Sequence, residues 1–205
     1  DLRDPESLKK ALVGCTTLYH TAAYYSLWNR DKKLIYDINV QGTRNILESA
    51  LEAGIEKVVY TSTVGCIGLS ESGSPANEDQ PMNPAFLCND YKLSKYQAEQ
   101  VALELFGRGL PVVIVNPSTP VGPRDIKPTP TGQIILDFMN HKMPAYIDTG
   151  LNLIDVVDCA RGHILAEAKG QPGERYILGN KNMSLNEILL NLEEFTGIKA
   201  PRIKM

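Results

Sequence analysis

Two short runs constrain the fold of this chain more than anything else in it. Lys57-Val-Val-Tyr-Thr-Ser62 and Pro111-Val-Val-Ile-Val-Asn116 are β-favouring stretches with no alternation of polar and apolar residues. A strand with one wet face alternates, whereas a strand covered on both faces does not, and the second pattern belongs to parallel sheets sandwiched between helices. The segment 90–106 between the runs reads as a helix that stops at Gly107-Arg-Gly109. Residues 36–53 read as another, with Ile38, Val40, Ile46, Leu47 and Leu51 apolar and Gly54 as its stop. Thr16-Thr-Leu-Tyr-His20 supplies a further short strand, and Asp4-Pro5-Glu6 opens a helix that continues through 7–13. Buried strands alternating with helices need right-handed crossovers, so the expected architecture is α/β, a doubly wound parallel sheet.

Composition changes after Asn116. Pro117, Pro120, Pro123, Pro128 and Pro130 crowd one stretch, which marks a boundary near residue 125. Beyond it the elements are shorter: a helix near 132–141, a strand at 145–147, a helix near 156–169, a strand at 175–178 and a helix at 185–196. The expectation is a main domain over 1–125 and a small α+β lobe over 126–205. Residues 65–89, rich in Gly, Ser, Pro and Asn, read as a long loop of the kind that carries function in a compact domain. The net charge of −3 gives no electrostatic footprint for nucleic acid, and the apolar runs fall far short of the ~20 residues of a membrane span. Cys15, Cys66, Cys88 and Cys159 are scattered, without a C-x-x-C pair, and read as buried thiols of a reducing cytoplasm. His20, His141 and His163 are too dispersed for a metal site, and His20 is expected to serve a backbone hydrogen bond. Arg124 could bind an acidic group but reads as a solvated loop residue.

The residues that could do chemistry are Tyr91-Lys-Leu-Ser-Lys95. Positions i and i+4 share one helix face, so Tyr91 and Lys95 project together. A free tyrosine ionises near 10 and is a poor acid or base at neutrality; an ammonium beside it stabilises the phenolate and lowers that value. With nine tyrosines in the chain the spacing arises easily by chance, and its context is what gives it weight. The helix follows a long loop, and the loop follows a buried strand ending in Thr61-Ser-Thr63. Ligands of doubly wound sheets bind beyond the carboxyl ends of strands. Strand-end hydroxyls alone read as turn formers; together with the tyrosine–lysine pair they read as a site.

The ordered segments Asp1-Leu2, His20-Thr-Ala-Ala23, Asn39-Val-Gln-Gly-Thr43, Tyr60-Thr-Ser-Thr63, Tyr91-Lys-Leu-Ser-Lys95 and Asn116-Pro-Ser-Thr-Pro-Val-Gly-Pro123 carry a resemblance to the extended short-chain dehydrogenase/reductase family, the NAD-dependent epimerase/dehydratase group, over essentially the whole chain. Segments 110–125 and 144–163 look most like its dihydroflavonol-reductase-like branch and the hopanoid-associated sugar epimerases. The resemblance implies a Rossmann-like sheet whose first βαβ unit precedes Asp1, an incomplete substrate lobe, and poor cofactor binding by the chain as it stands. It implies NAD or NADP as cofactor, and no G-x-x-G-x-x-G occurs here to choose between them. Tyr91 would move a proton at a substrate carbonyl or carbinol while hydride passes to or from nicotinamide. Lys95 would lower the Tyr91 pKa and hold the nicotinamide ribose, and Thr63 would orient the substrate oxygen, with Thr61 and Ser62 lining the same strand end. Asp1 and Leu2 would contact adenine. Thr21, Ala22 and Ala23 would let the main chain approach the pyrophosphate, with Tyr25 nearby, and Val115 and Pro117 would lie against the nicotinamide. Asn39 would face the cofactor by resemblance, whereas its own position at a helix start reads as an N-cap.

In Leu153-Ile-Asp-Val-Val-Asp158 the chain departs from the family's Val-His-Val-Asp-Asp: Asp155 stands for His and Val157 for Asp, while Asp158 matches and is expected to cap the next helix. The implied substrate is a nucleotide sugar or a dihydroflavonol-like alcohol or ketone, and the implied partner is a second copy docking through helices near 39–53 and 91–106. Another class of function, a non-catalytic dinucleotide-responsive scaffold, would not need Thr63, Tyr91 and Lys95 together. A hydrolase would need a G-x-S-x-G elbow, and Gly68-Leu-Ser-Glu-Ser-Gly73 has the wrong spacing.

Overall fold

The computed structural model describes residues 1–25, 32–70 and 74–205; residues 71–73 of the expected 65–89 loop and of the Gly68–Gly73 stretch lie outside the described residues. The chain divides into two compact units, residues 1–117 with 162–177 and residues 118–161 with 178–205.

In the first unit, helix α1 (Pro5–Leu12) is capped by Asp4, whose side chain accepts the Ser7 N–H, with Pro5 in the first turn. Strands β1 (Thr17–His20), β2 (Lys57–Thr61) and β3 (Val112–Pro117) pair in parallel, with Tyr60 in register between His20 and Ile114. Strand β6 (Arg175–Leu178) flanks β3, giving the order β1-β2-β3-β6. Helices α3 (Gly42–Glu52) and α4 (Asp90–Gly107) cover one face. Leu8, Leu47, Ala50, Val58, Tyr60, Ala98, Val101, Leu105, Val112 and Ile114 form one core cluster there. The opposite face meets the second half of helix α6 (Val156–Lys169): the Tyr19 hydroxyl donates to Glu167 at 3.0 Å and Thr61 Oγ1 lies 2.9 Å from His163 Nε2. Strands buried on both sides by helices are the arrangement that the apolar runs demand.

The expected helix over 36–53 is in fact α2 (Lys32–Tyr36), a wider π-helical segment (Asp37–Gln41) and α3 in succession. Asn39 therefore lies inside this continuous helical run and does not cap its start. Residues 162–177, expected in the lobe, belong to the first unit because the apolar second face of the sheet needs cover from that half of α6. His20 differs from its expectation as well, because Nε2 pairs with the Thr43 side chain at 2.9 Å, not with main chain. Cys15 and Cys88 are exposed, while Cys66 and Cys159 are buried.

In the second unit, strands β4 (Thr119–Val121), β5 (Gly150–Asp155) and β7 (Lys181–Ser184) form a small sheet with β4 and β5 parallel and β5 and β7 antiparallel. Helices α5 (Pro130–Met139) and α7 (Leu185–Thr196) pack around Phe138, Leu185, Leu189 and Ala200. Ser184 and Glu187 close a reciprocal capping box on α7. The strand expected at 145–147 is reduced to a single bridge between Tyr146 and Lys204. Neither β4 nor β7 is legible in the sequence: one carries Pro120, tolerated because β4 is an edge strand, and the other is four polar-to-mixed residues. The cap of α6 is Asp155, which accepts the Val157 N–H at 2.7 Å; Asp158, the expected cap, sits one turn in and pairs with Arg161 at 2.9 Å. Arg124 is exposed, at a positive φ of 72°.

Candidate active site

The carboxyl end of β2 meets the start of α4. Asn89 caps that helix, its side chain accepting the Lys92 N–H, and Tyr91 and Lys95 follow one turn apart on a single face. Lys95 is only 4% exposed. Its Nζ donates to the Thr61 carbonyl at 2.8 Å and to the Tyr60 hydroxyl at 3.2 Å, and lies 4.9 Å from the Tyr60 ring centre. Burial pulls its ionisation down to about 8, against the pull of Cys66 and Glu99. Cys66 is a neutral thiol at physiological pH, its own ionisation pushed up to about 12 mainly by burial.

Tyr91 is half-buried, and Tyr25 meets its ring edge-on, with centroids 4.6 Å apart at 89°. Its hydroxyl ionisation is pushed up to about 12, first by burial and then by Tyr25 and Cys66. The lowering expected from Lys95 is therefore not present in the folded chain. The physical reason is where the ammonium goes: it reaches under α4 to the β2 main chain and does not sit on the Tyr91 oxygen. Tyr91 is a protonated phenol across the neutral range.

The three strand-end hydroxyls have separate partners. Thr61 Oγ1 faces His163, the Ser62 hydroxyl donates to the buried Glu99 carboxylate, and Thr63 Oγ1 accepts the Gly65 N–H at 3.2 Å. Of these three, Thr61 and Ser62 meet side chains of the protein, whereas the Thr63 hydroxyl only accepts a main-chain N–H. Asn39, 1% exposed, is also fully used: Oδ1 accepts the Tyr24 N–H at 2.6 Å and Nδ2 donates to the Tyr24 carbonyl and to Ser94 Oγ, each at 3.0 Å. It ties the segment after β1 to α4. Thr21, Ala22 and Ala23 are exposed beyond β1. Val115 and Pro117 are buried in β3, where the Val115 carbonyl accepts the Ser62 N–H at 2.8 Å. Asp1 pairs with Arg3 at 2.7 Å, and Leu2 packs on the core while its carbonyl accepts from Asn45 at 2.9 Å.

Sequence reasoning missed Glu99, Asn116 and Arg175. Asn116 Nδ2 donates to the Thr63 carbonyl at 2.9 Å and to Glu99 at 3.0 Å, and Arg175 Nη1 reaches Glu99 at 3.4 Å. The one available signal was spacing, since Glu99 continues the stripe of Tyr91 and Lys95 by four more residues. Among the described residues no group of three or more His, Cys, Asp or Glu could hold a metal ion, and no helix is long and apolar enough to cross a membrane.

A parallel sheet covered by helices on both faces, with this polar cluster at its carboxyl edge, is the arrangement of a Rossmann-like α/β fold. More narrowly, residues 1–179 match the NAD dependent epimerase/dehydratase family, and the chain belongs to it. It is 52% identical to a Synechocystis protein named "Putative dihydroflavonol 4-reductase", over 98% of this chain and 60% of that protein. It is 38% identical to sterol demethylase protein B of Methylococcus capsulatus, over 99% of this chain and 62% of that protein. The crystal structure of gox2253 superposes with a TM-score of 0.95 at 50% identity, covering all of this chain (100%) and 62% of that one. The chain thus spans about three-fifths of the length of the curated relatives it matches.

Proposed function

We propose that the whole protein is an NAD(P)-dependent oxidoreductase or epimerase acting at a secondary alcohol or ketone of a nucleotide sugar or a dihydroflavonol-like compound. The observation that carries this reading is Lys95: a buried ammonium at the carboxyl edge of a parallel sheet, one helical turn from a protonated phenol. Its three N–H donors have two protein acceptors among the described residues, Thr61 and Tyr60, which leaves one donor for a ribose hydroxyl. The small residues Thr21, Ala22 and Ala23 allow a close approach to the main chain, so the residues present fit the nicotinamide side of a dinucleotide. When bound, the nicotinamide supplies or takes the hydride.

The chain's own groups do the rest. Thr63 donates its hydroxyl proton to the substrate oxygen and orients it. Tyr91, held protonated by burial, gives its proton to that oxygen as a carbonyl is reduced. Lys95, held on the Thr61 carbonyl and the Tyr60 hydroxyl, offers its remaining donor to the ribose beside that site. Names of relatives support carbonyl chemistry: besides the Synechocystis protein, a Stigmatella aurantiaca relative 31% identical to this chain is called a farnesyl dihydroquinoline-oxide ketoreductase.

The test is Tyr91→Phe in the whole protein, with NADPH and a dihydroflavonol or NAD and a nucleotide sugar. Loss of general acid catalysis should lower kcat on the order of 10²- to 10⁴-fold with the thermal midpoint unchanged. An unaltered kcat refutes the assignment. Two further proposals go with this reading: a homodimer formed through helices near 39–53 and 91–106, and a cytoplasmic location, in keeping with the buried Cys66 thiol.

A further inference from the structure

We propose that Glu99 is a positioning residue for this reaction, holding the Thr63 main chain through Asn116 and Ser62 and facing Lys95 with the buried counter-charge. The inference rests on the reading of Thr63, Tyr91 and Lys95 given above. Glu99 is 1% exposed, and a carboxylate so buried persists only with donors on its oxygens. Oε2 accepts from the Ser62 hydroxyl and from Asn116 Nδ2 at 3.0 Å, while Oε1 accepts from Arg175 Nη1 at 3.4 Å. The same Asn116 amide donates to the Thr63 carbonyl at 2.9 Å. Two acceptors on one nitrogen set the orientation of that amide, and Glu99 thereby determines where the Thr63 carbonyl sits. Arg175 extends the frame, donating also to the Glu78 carbonyl, and Glu78 Oε1 accepts the Ile177 N–H at 2.8 Å. One carboxylate thus links the end of β2, the 65–89 loop, α4 and β6.

The second role is electrostatic. Among the described residues, the groups facing Lys95 are His20 from β1, Tyr60 from β2, Cys66 from the turn after β2, and Glu99 on α4 itself. His20 is neutral, since burial and then Lys95 lower its ionisation to about 3. Tyr60 and Cys66 are both pushed upward by burial and stay neutral as well. Glu99, which is also paired with Arg175, opposes the desolvation that lowers the ionisation of Lys95.

The experiment uses Glu99→Gln, which keeps shape and removes charge, and Glu99→Asp, which keeps charge and shortens the reach. In the chain labelled with ¹³C at the lysine Cε, and with Lys95→Arg to assign the signal, wild-type Lys95 is expected to titrate near about 8. Glu99→Gln should move that titration to lower pH, and Glu99→Asp should leave it nearly in place. In the whole protein with NADPH and a dihydroflavonol, or NAD and a nucleotide sugar, Glu99→Gln should lower kcat on the order of 10- to 100-fold, with the alkaline limb of the profile displaced the same way as the NMR titration. A loss of packing alone would lower the active fraction and leave both the limb and the titration where they were. An unmoved Lys95 titration in Glu99→Gln overturns the proposal. So does wild-type kcat in Glu99→Gln when Tyr91→Phe is inactive. If Tyr91→Phe keeps its kcat, the functional reading fails, while the NMR titration still decides the charge role of Glu99. Should Glu99→Gln not fold, Glu99→Asp decides: reduced kcat with Lys95 unshifted supports the proposal, and wild-type kcat overturns it.

Discussion

At the scale of single residues, the site is organised by groups taken out of water. His20 shows how burial becomes a stability term. Its imidazole is 3% exposed, and burial, reinforced by Lys95, lowers its ionisation from the ordinary 6.5 to about 3. A depressed value means that the unfolded chain binds the proton first. His20 therefore contributes its full stability above about pH 6.5 and loses it as the pH falls toward about 3, up to roughly 5 kcal/mol over that window. His20→Gln, which cannot titrate, is expected to move the acid-unfolding midpoint followed by circular dichroism to lower pH; an unchanged midpoint contradicts this. Tyr91 and Lys95 were legible because their spacing has a chemical reason that needs no tertiary information. Glu99 was not, because a glutamate within a helix ordinarily points to water, and only the packing of α4 against β2 and β3 turns this one inward. The assignment of Thr61 to α6 and of Ser62 to Glu99 likewise depends on which face of the strand each side chain takes.

At the scale of elements, β2, β3 and α4 were read almost to the residue, because two unbroken apolar runs and the Gly107-Arg-Gly109 stop bound them closely. The π-helical segment Asp37–Gln41 was invisible, since a single wider turn inside a helix has no residue signature of its own. Its consequence is the inward Asn39, which ties the segment after β1 to α4. The 65–89 loop depends on Gly68, whose N–H donates to the Gln80 carbonyl at 3.2 Å. A Cβ at this position would meet the Pro81 carbonyl oxygen at 2.1 Å, so main chain must move to admit it. Gly68→Ala is expected to destabilise the fold by about 1–3 kcal/mol, read as a lower urea midpoint at constant m-value. A midpoint equal to that of the wild type would show that the two loop arms are not held together.

At the scale of the whole molecule, the units are assembled from residues distant in sequence, and the homodimer proposed above is tested here. Light scattering at micromolar concentration should give twice the 22.6 kDa of the chain, and a monomeric mass refutes the proposal. Arg44 of α3 and Glu104 of α4 are joined at 2.6 Å, and Arg108, just after α4, and Glu48 of α3 at 3.0 Å. These exposed pairs contribute little to stability but hold the two helices in fixed register. By itself the sequence determined the α/β class, the parallel sheet and the tyrosine–lysine pair, because hydrophobic periodicity and i, i+4 spacing are local properties of the chain. Tertiary structure alone decided that residues 162–177 return to the first unit, that β4 and β7 become strands, that Lys95 bonds the β2 main chain and not Tyr91, and that Glu99 is buried among Ser62, Asn116 and Arg175. Burial is a property of what packs on a residue from elsewhere in the chain, and so are the desolvation and hydrogen bonding that make such groups reactive or neutral.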